Sequence, residues 1–144
     1  MTGRNQLLVG DARKLLPSLT EGSVDCVITS PPYFRLRNYD ERNQIGLEPN
    51  VAGWVNELRD IVRQLARVLK PTGSLWLNLG DTYSHHERDD ARPKSLLLGP
   101  ERLALAMTRD GWVIRSKVIW AKSNPMPTSV RDRLSCTTPC SRST

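Results

Sequence analysis

The sequence predicts a single α/β domain with a mostly parallel sheet and flanking helices. Three observations carry this. Apolar segments alternate in period and length as strand, helix, strand, helix, strand, helix, strand. Two of the expected strands end in the same pair, at Gly10-Asp11 and Gly80-Asp81. The chain has 144 residues, 38% of them hydrophobic, enough for one sizeable core, and shows no internal repeat.

Each element has its own signal. "QLLVGDA", Gln6 to Ala12, reads as a short buried strand, and "ARKLLPSL" as a brief helix with Asp11 as its N-cap. "EGS" is a turn. "VDCVITS", Val24 to Ser30, is a strand enriched in β-branched residues, with Cys26 as a small buried hydrophobe. "FRLRNYDERNQIGLEPN" has no period and reads as a long functional loop. From Val51 to Lys70, Val51, Trp54, Val55, Leu58, Ile61, Val62, Leu65, Val68 and Leu69 recur at helical steps, with Asn50 as cap and "KPTG" as stop. "GSLWLNLGD", Gly73 to Asp81, is the third strand. "TYSHHERDDARPK" reads as a charged, mobile loop. "GPERLALAMTRDG" is a helix with Pro100 in its first turn, and "WVIRSKVIWAKSN" is one long strand or two meeting near Ser116. Trp54, Trp76, Trp112 and Trp120 fall on apolar positions and are expected in the core.

Composition narrows the function classes. No apolar run approaches the roughly 18 residues of a membrane span, and "MTGRNQLLVG" lacks the apolar stretch of a signal peptide, so cytoplasm is the expected compartment. Three cysteines make no disulfide framework, and Cys136 and Cys140 need no function. A net charge of +6 tilts the expected partner toward a polyanion, nucleic acid first. His85, His86, Glu87, Asp89 and Asp90 match no usual ligand spacing, so no metal is expected.

The motif with chemistry is "TSPPY", Thr29 to Tyr33, directly after an apolar strand. Proline lacks an N–H and drives its predecessor to extended conformations, so Ser30, Pro31 and Pro32 form a stiff rim with free carbonyls. A plain reading is a strand ending at a Pro-Pro turn. The functional reading is a rim for a flat heterocycle bearing an amine: the Ser30 hydroxyl and a proline carbonyl accept the two N–H groups, and the Tyr33 ring stacks. Accepting both hydrogens helps pyramidalise the nitrogen and expose its lone pair, with neither metal nor covalent intermediate.

In this setting "TSPPY" resembles the catalytic motif of the DNA amino-methyltransferases, which methylate N4 of cytosine or N6 of adenine. "LLVGDARKLLPSLTEGSVDCVITSPPYFRLRNYD" resembles the N-terminal block of the beta-class enzymes of restriction–modification systems. "IGLEPN", "VLKPTGSLWLNLGDTYS" and "DGWVIRSKVIWAKSNPMPTSVRDR" follow in that family's order, covering the chain to about Arg133. The resemblance implies a Rossmann-like core, S-adenosylmethionine as methyl donor, double-stranded DNA as partner, and a base flipped from the duplex at a cost of roughly a few kcal/mol. A serine at the position of Ser30 implies N4-cytosine, with N6-adenine as the alternative. By the same resemblance Ser30 and the Pro31 carbonyl orient the amine, Pro32 stiffens the turn and Tyr33 stacks on the base. Ser30 also borders the donor's sulfonium, and Asp11 and Asp81 line the cofactor and base pocket or, alternatively, cap helix and turn. Arg35 and Arg37 contact phosphates or lie in a solvated loop, and Lys122, Asn124, Arg131 and Arg133 also face DNA unless they are plain surface residues.

The sequence departs from that family in one respect. The glycine-rich "DxFxGSGT" block that holds the methionine part of the donor is absent from the 144 residues. Residues 1–133 are therefore expected to be the catalytic part of such an enzyme, and "LSCTTPCSRST", 134–144, an aberrant tail. The expectation is weak donor binding or none by this chain alone, with a second polypeptide as one source of the missing loop and target-recognition region. The alternative from another class is an inactive fragment serving DNA binding or subunit interaction.

Overall fold

The computed structural model describes residues 5–86, 89–121 and 123. The chain divides into two units, residues 1–114 and 115–144. In the first unit the order is α1 (Ala12–Leu15), a 3₁₀ turn (Leu16–Ser18), β1 (Val24–Thr29), α2 (Val51–Val68), β2 (Leu69–Leu77) and α3 (Gly99–Arg109). In the second unit residues 115–121 and 123 are exposed and carry no helix or strand.

The central element is α2. Its buried residues are Val51, Trp54, Val55, Leu58, Val62, Leu65 and Val68, one stripe at three- and four-residue steps. Asn50 starts it by accepting a hydrogen bond from the Gly53 backbone N–H at 2.8 Å. Phe34, Leu97, Leu103 and Met107 join this stripe in one core, with Leu75 and Leu77 of β2 packed against it. Arg59 binds Asp110 through Nε and a terminal nitrogen, both at 2.5 Å, and ties α2 to the end of α3. The arginine holds the Asp110 carboxyl at about 2.

β1 and β2 pair in parallel, with Cys26, Val27, Ile28 and Thr29 opposite Ser74, Leu75, Trp76 and Leu77. The register is irregular between Val24 and Cys26, because Val24 lies opposite Leu69 and Cys26 opposite Ser74. Period-two alternation then gives the pair two different faces. Val27, Thr29, Leu75 and Leu77 point inward, whereas Cys26, Ile28, Ser74 and Trp76 are exposed.

Several expectations are corrected. Gln6 to Gly10 joins no ladder, and Leu7 and Val9 are 86% and 87% exposed. Trp112 to Ala121 likewise joins none. Apolar β-branched composition favours an extended chain, but a strand also needs a hydrogen-bonding neighbour, and composition cannot supply one. β2 begins earlier than expected and ends at Leu77, so Asn78 to Asp81 leaves the ladder. Cys26 is exposed, because the apolar run does not say which sheet face is covered. Of the four tryptophans, Trp54 is buried and Trp112 half-buried against the core, whereas Trp76 and Trp120 are exposed. Among the described residues no helix is long and apolar enough to cross a membrane.

This division predicts opposite outcomes for two substitutions of similar size. Leu58→Ala, at a side chain 2% exposed, should cost about 2–5 kcal/mol of stability. Ile28→Ala, at 82% exposure on the outer face, should stay within about 0.5 kcal/mol. Urea unfolding of both variants checks the pair.

Candidate base-binding rim

The rim begins where β1 stops. The Asn78 N–H donates to the Thr29 carbonyl at 2.9 Å, carrying the pairing one step past β2. The Asn78 side-chain amide then reaches the Ser30 Oγ at 3.4 Å, and the Tyr33 hydroxyl lies 3.4 Å from the same oxygen. Ser30 is exposed, with Pro31, Pro32 and Tyr33 half-buried behind it. Sequence reasoning missed Asn78. Its signal was the position directly after a strand whose neighbour carries the motif.

The two proline carbonyls differ. The Trp54 indole N–H donates to the Pro32 carbonyl at 2.9 Å. Among the described residues no donor reaches the Pro31 carbonyl. The rim therefore presents the Ser30 hydroxyl and the Pro31 carbonyl as acceptors. The Tyr33 ring lies against Gly80, where a Cβ would fall 2.7 Å from the ring Cε2. Only a glycine lets the backbone come that close.

The charged residues are arranged differently from expectation. Asp11 accepts from the Arg13 backbone N–H at 2.9 Å and from its guanidinium, capping α1. Its carboxyl is held below the usual range, chiefly by the Arg13 side chain. Asp81 accepts from the backbone N–H groups of Thr82, Leu98 and Gly99 at 2.9, 2.8 and 3.1 Å, closing the start of α3. Both carboxylates are thus caps. Leu98 holds the left-handed conformation at φ 54° in this turn.

Arg35 is committed within the fold. Its guanidinium pairs with Asp89 at 2.7 Å, donates to the Pro49 carbonyl and lies 4.6 Å over the Phe34 ring. Asp89 is fully buried and also accepts from the His85 and His86 backbone N–H groups, each at 3.0 Å. The stretch expected to be mobile is therefore anchored at Asp89. Burial pushes its carboxyl up, but those N–H groups and Arg35 outweigh this and hold it below the usual range. Arg37 is exposed, and among the described residues its guanidinium has no partner. Lys122, Asn124, Arg131, Arg133, Glu87, Cys136 and Cys140 lie outside the described residues. Among the described residues no three His, Cys, Asp or Glu side chains converge as for a metal ion.

A donor with a sulfonium fits the oxygen-rich side of this rim, because the Ser30 hydroxyl and Pro31 carbonyl oxygens favour a positive charge beside them. The carboxylates of Asp11 and Asp81 are engaged as caps of α1 and α3.

Comparison with known proteins gives the same direction. A family profile described as DNA methylase matches residues 24–139. The Type II methyltransferase M.SmaI of Serratia marcescens is 40% identical over 89% of this chain and 51% of its own length. M.SfiI of Streptomyces fimbriatus is 44% identical over 91% of this chain and 33% of its own. The chain thus spans about half or less of the length of these relatives. A solved structure, PvuII DNA methyltransferase (cytosine-N4-specific), shares the fold with a TM-score of 0.52 at 20% identity. It covers 71% of this chain and 32% of its own.

The Asp89 anchor predicts a pH effect. A depressed carboxylate stabilises fully above its unfolded pKa of about 4 and loses that contribution as pH falls through the folded value. Asp89→Asn should lower the melting temperature at pH 7 and flatten its decline below about pH 4. Asp11 and Asp110, also depressed, leave a residual slope. Parallel melting-temperature profiles for the two proteins between pH 7 and 2 would contradict the anchor.

Proposed function

This chain belongs to the DNA methylase family, and on that premise we propose that it carries the base-binding rim of an S-adenosylmethionine-dependent DNA amino-methyltransferase of restriction–modification type, acting on N4 of cytosine. The observation that carries the reading is the pair of acceptors at the sheet edge. The Ser30 hydroxyl is exposed and the Pro31 carbonyl has no donor among the described residues, while the second carbonyl is taken by Trp54. An exocyclic amine offers two N–H donors, one for each.

In this reading double-stranded DNA is the substrate and the target base is flipped out, at roughly a few kcal/mol. The Tyr33 ring stacks on the extruded base, which returns about 1–3 kcal/mol. Ser30 and Pro31 hold the amine with its lone pair turned away from them, and Pro32 keeps the turn stiff. When bound, S-adenosylmethionine supplies an electrophilic methyl group beside Ser30. Arg37, exposed just past the motif, contacts a phosphate. Arg35 instead holds the loop after the motif against Asp89. Lys122 and Arg131 complete the DNA contacts.

In this reading Ser30 and Pro31 face the methyl group of the donor, while Asp11 and Asp81 cap α1 and α3. We assign the other side of the donor site to groups outside the described residues. The uncovered sheet face with Ile28 and Trp76 exposed supports this, because parallel strands are ordinarily covered on both faces. A chain that binds DNA without transferring methyl groups is the second reading, favoured by the same two caps.

Methyl transfer from labelled S-adenosylmethionine to duplex DNA tests these readings, with nucleoside analysis of the product. N4-methylcytosine is expected, and N6-methyladenine would move the specificity to adenine. Ser30→Ala should lower kcat about 100-fold. Tyr33→Ala should weaken the complex about tenfold, the fold-change of roughly 1.4 kcal/mol of lost stacking. No calorimetric heat with S-adenosylmethionine, together with salt-dependent DNA binding, would favour the second reading.

A further inference from the structure

We propose that Trp54 is the positioning residue of the rim: its indole N–H fixes the Pro32 peptide plane and thereby sets where the Pro31 carbonyl and the Tyr33 ring stand. The inference rests on the reading of Ser30–Tyr33 as a base-binding rim.

Trp54 is fully buried in the first turn of α2, with its backbone N–H bonded to the Asn50 carbonyl at 3.3 Å. A buried indole N–H needs an acceptor. It finds the Pro32 carbonyl at 2.9 Å, across 22 residues of sequence. The peptide group is planar, so fixing the Pro32 oxygen also fixes the Tyr33 nitrogen and the start of its side chain. Proline restricts φ at positions 31 and 32, so few dihedrals remain between that plane and the Pro31 carbonyl. At its other end the Tyr33 ring is bounded by Gly80, where a Cβ would meet Cδ2 at 2.8 Å. The rim is therefore set from two sides, by α2 and by the segment following β2.

The indole is itself confined. The Phe34 ring lies 6.3 Å away between centroids, tilted by 50°. Gly99 lies against it closely enough that a Cβ would fall 2.9 Å from the ring Cζ3. Gly99 is in turn held by Asp81, which accepts its backbone N–H at 3.1 Å. Asp81 thus bears on the rim through the start of α3 and the indole.

Two variants separate this role from plain packing. Trp54→Phe keeps an aromatic ring and removes the N–H. Gly99→Ala keeps the N–H and pushes on the ring. The experiment records nitrogen-15 NMR spectra of the full 144-residue chain and methyl-transfer kinetics on duplex DNA for each variant. In the wild type the Trp54 indole proton should exchange more slowly than those of Trp76 and Trp120, which are 60% and 76% exposed. Both variants should shift the Tyr33 amide while the sheet amides of Val27 and Leu75 stay in place. For Trp54→Phe kcat should fall about 10- to 100-fold, with KM for the donor within about threefold. A Tyr33 amide unmoved in both variants, or an unchanged kcat in Trp54→Phe, overturns the inference. If the wild type itself transfers no methyl group, the functional reading of the isolated chain fails. The Tyr33 amide and the indole exchange rate then decide the positioning role alone. If Trp54→Phe does not fold, Gly99→Ala decides it.

Discussion

The rest of the structure depends on the burial of one helical stripe. α2 puts Trp54, Leu58 and Val62 against the inner face of a two-stranded parallel pair and against α3. Most helical stability in water comes from such packing and not from propensity. Each connection hangs from it. Phe34 enters the core directly after the motif, and Leu97 enters it directly before α3. The segment that bears the rim is therefore held by β1 before it and by the core residue Phe34 after it, which is why a polar, proline-bearing segment can hold one geometry.

The acidic residues follow a second rule. Asp11, Asp81, Asp89 and Asp110 are each satisfied by backbone N–H groups or arginines of the fold. Where the neighbours are charged, the carboxyls of Asp11, Asp89 and Asp110 are driven down. These donors already take most of the acceptor sites of each carboxylate. Arg35 is likewise engaged, its guanidinium meeting a carboxylate, a carbonyl and an aromatic face. A position beside a motif is no measure of availability, since the competition for each charge is settled by the loop that surrounds it.

Periodicity carried the legible part of the fold. The stripe of α2 and its Asn50 cap, and α3 with Pro100 in its first turn, are local patterns that burial enforces. The alternation of elements indicated a parallel sheet, and β1 and β2 pair in parallel. Leu7, Val9, Val118 and Trp120 have strand-like composition, yet none joins a ladder, since pairing depends on a neighbour far along the chain. In the rim, Ser30 to Tyr33 stood out because two prolines after a strand are unusual. Asn78, Trp54 and Gly80 did not, because each acts through a contact spanning 22 to 48 residues of sequence or through a close approach that only coordinates reveal. Asp89 was hidden among charged neighbours, and its burial with Arg35 and two backbone N–H groups, which sets it apart from the exposed Asp90, is not written in the local sequence.

The unequal faces of the sheet explain how a defined rim coexists with uncovered apolar surface. Inward residues Leu75 and Leu77 pack on the core, while Ile28 and Trp76 remain exposed on the other side. Ser30 follows β1 and Asn78 follows β2, so the rim stands where both strands leave the ladder. Its supports, Trp54 and the Gly80 backbone, come from α2 and from the segment following β2. None of them depends on what covers the outer face. The geometry of the Ser30 hydroxyl and the Pro31 carbonyl is thus set from the covered side of the sheet, by contacts that the exposed face does not share.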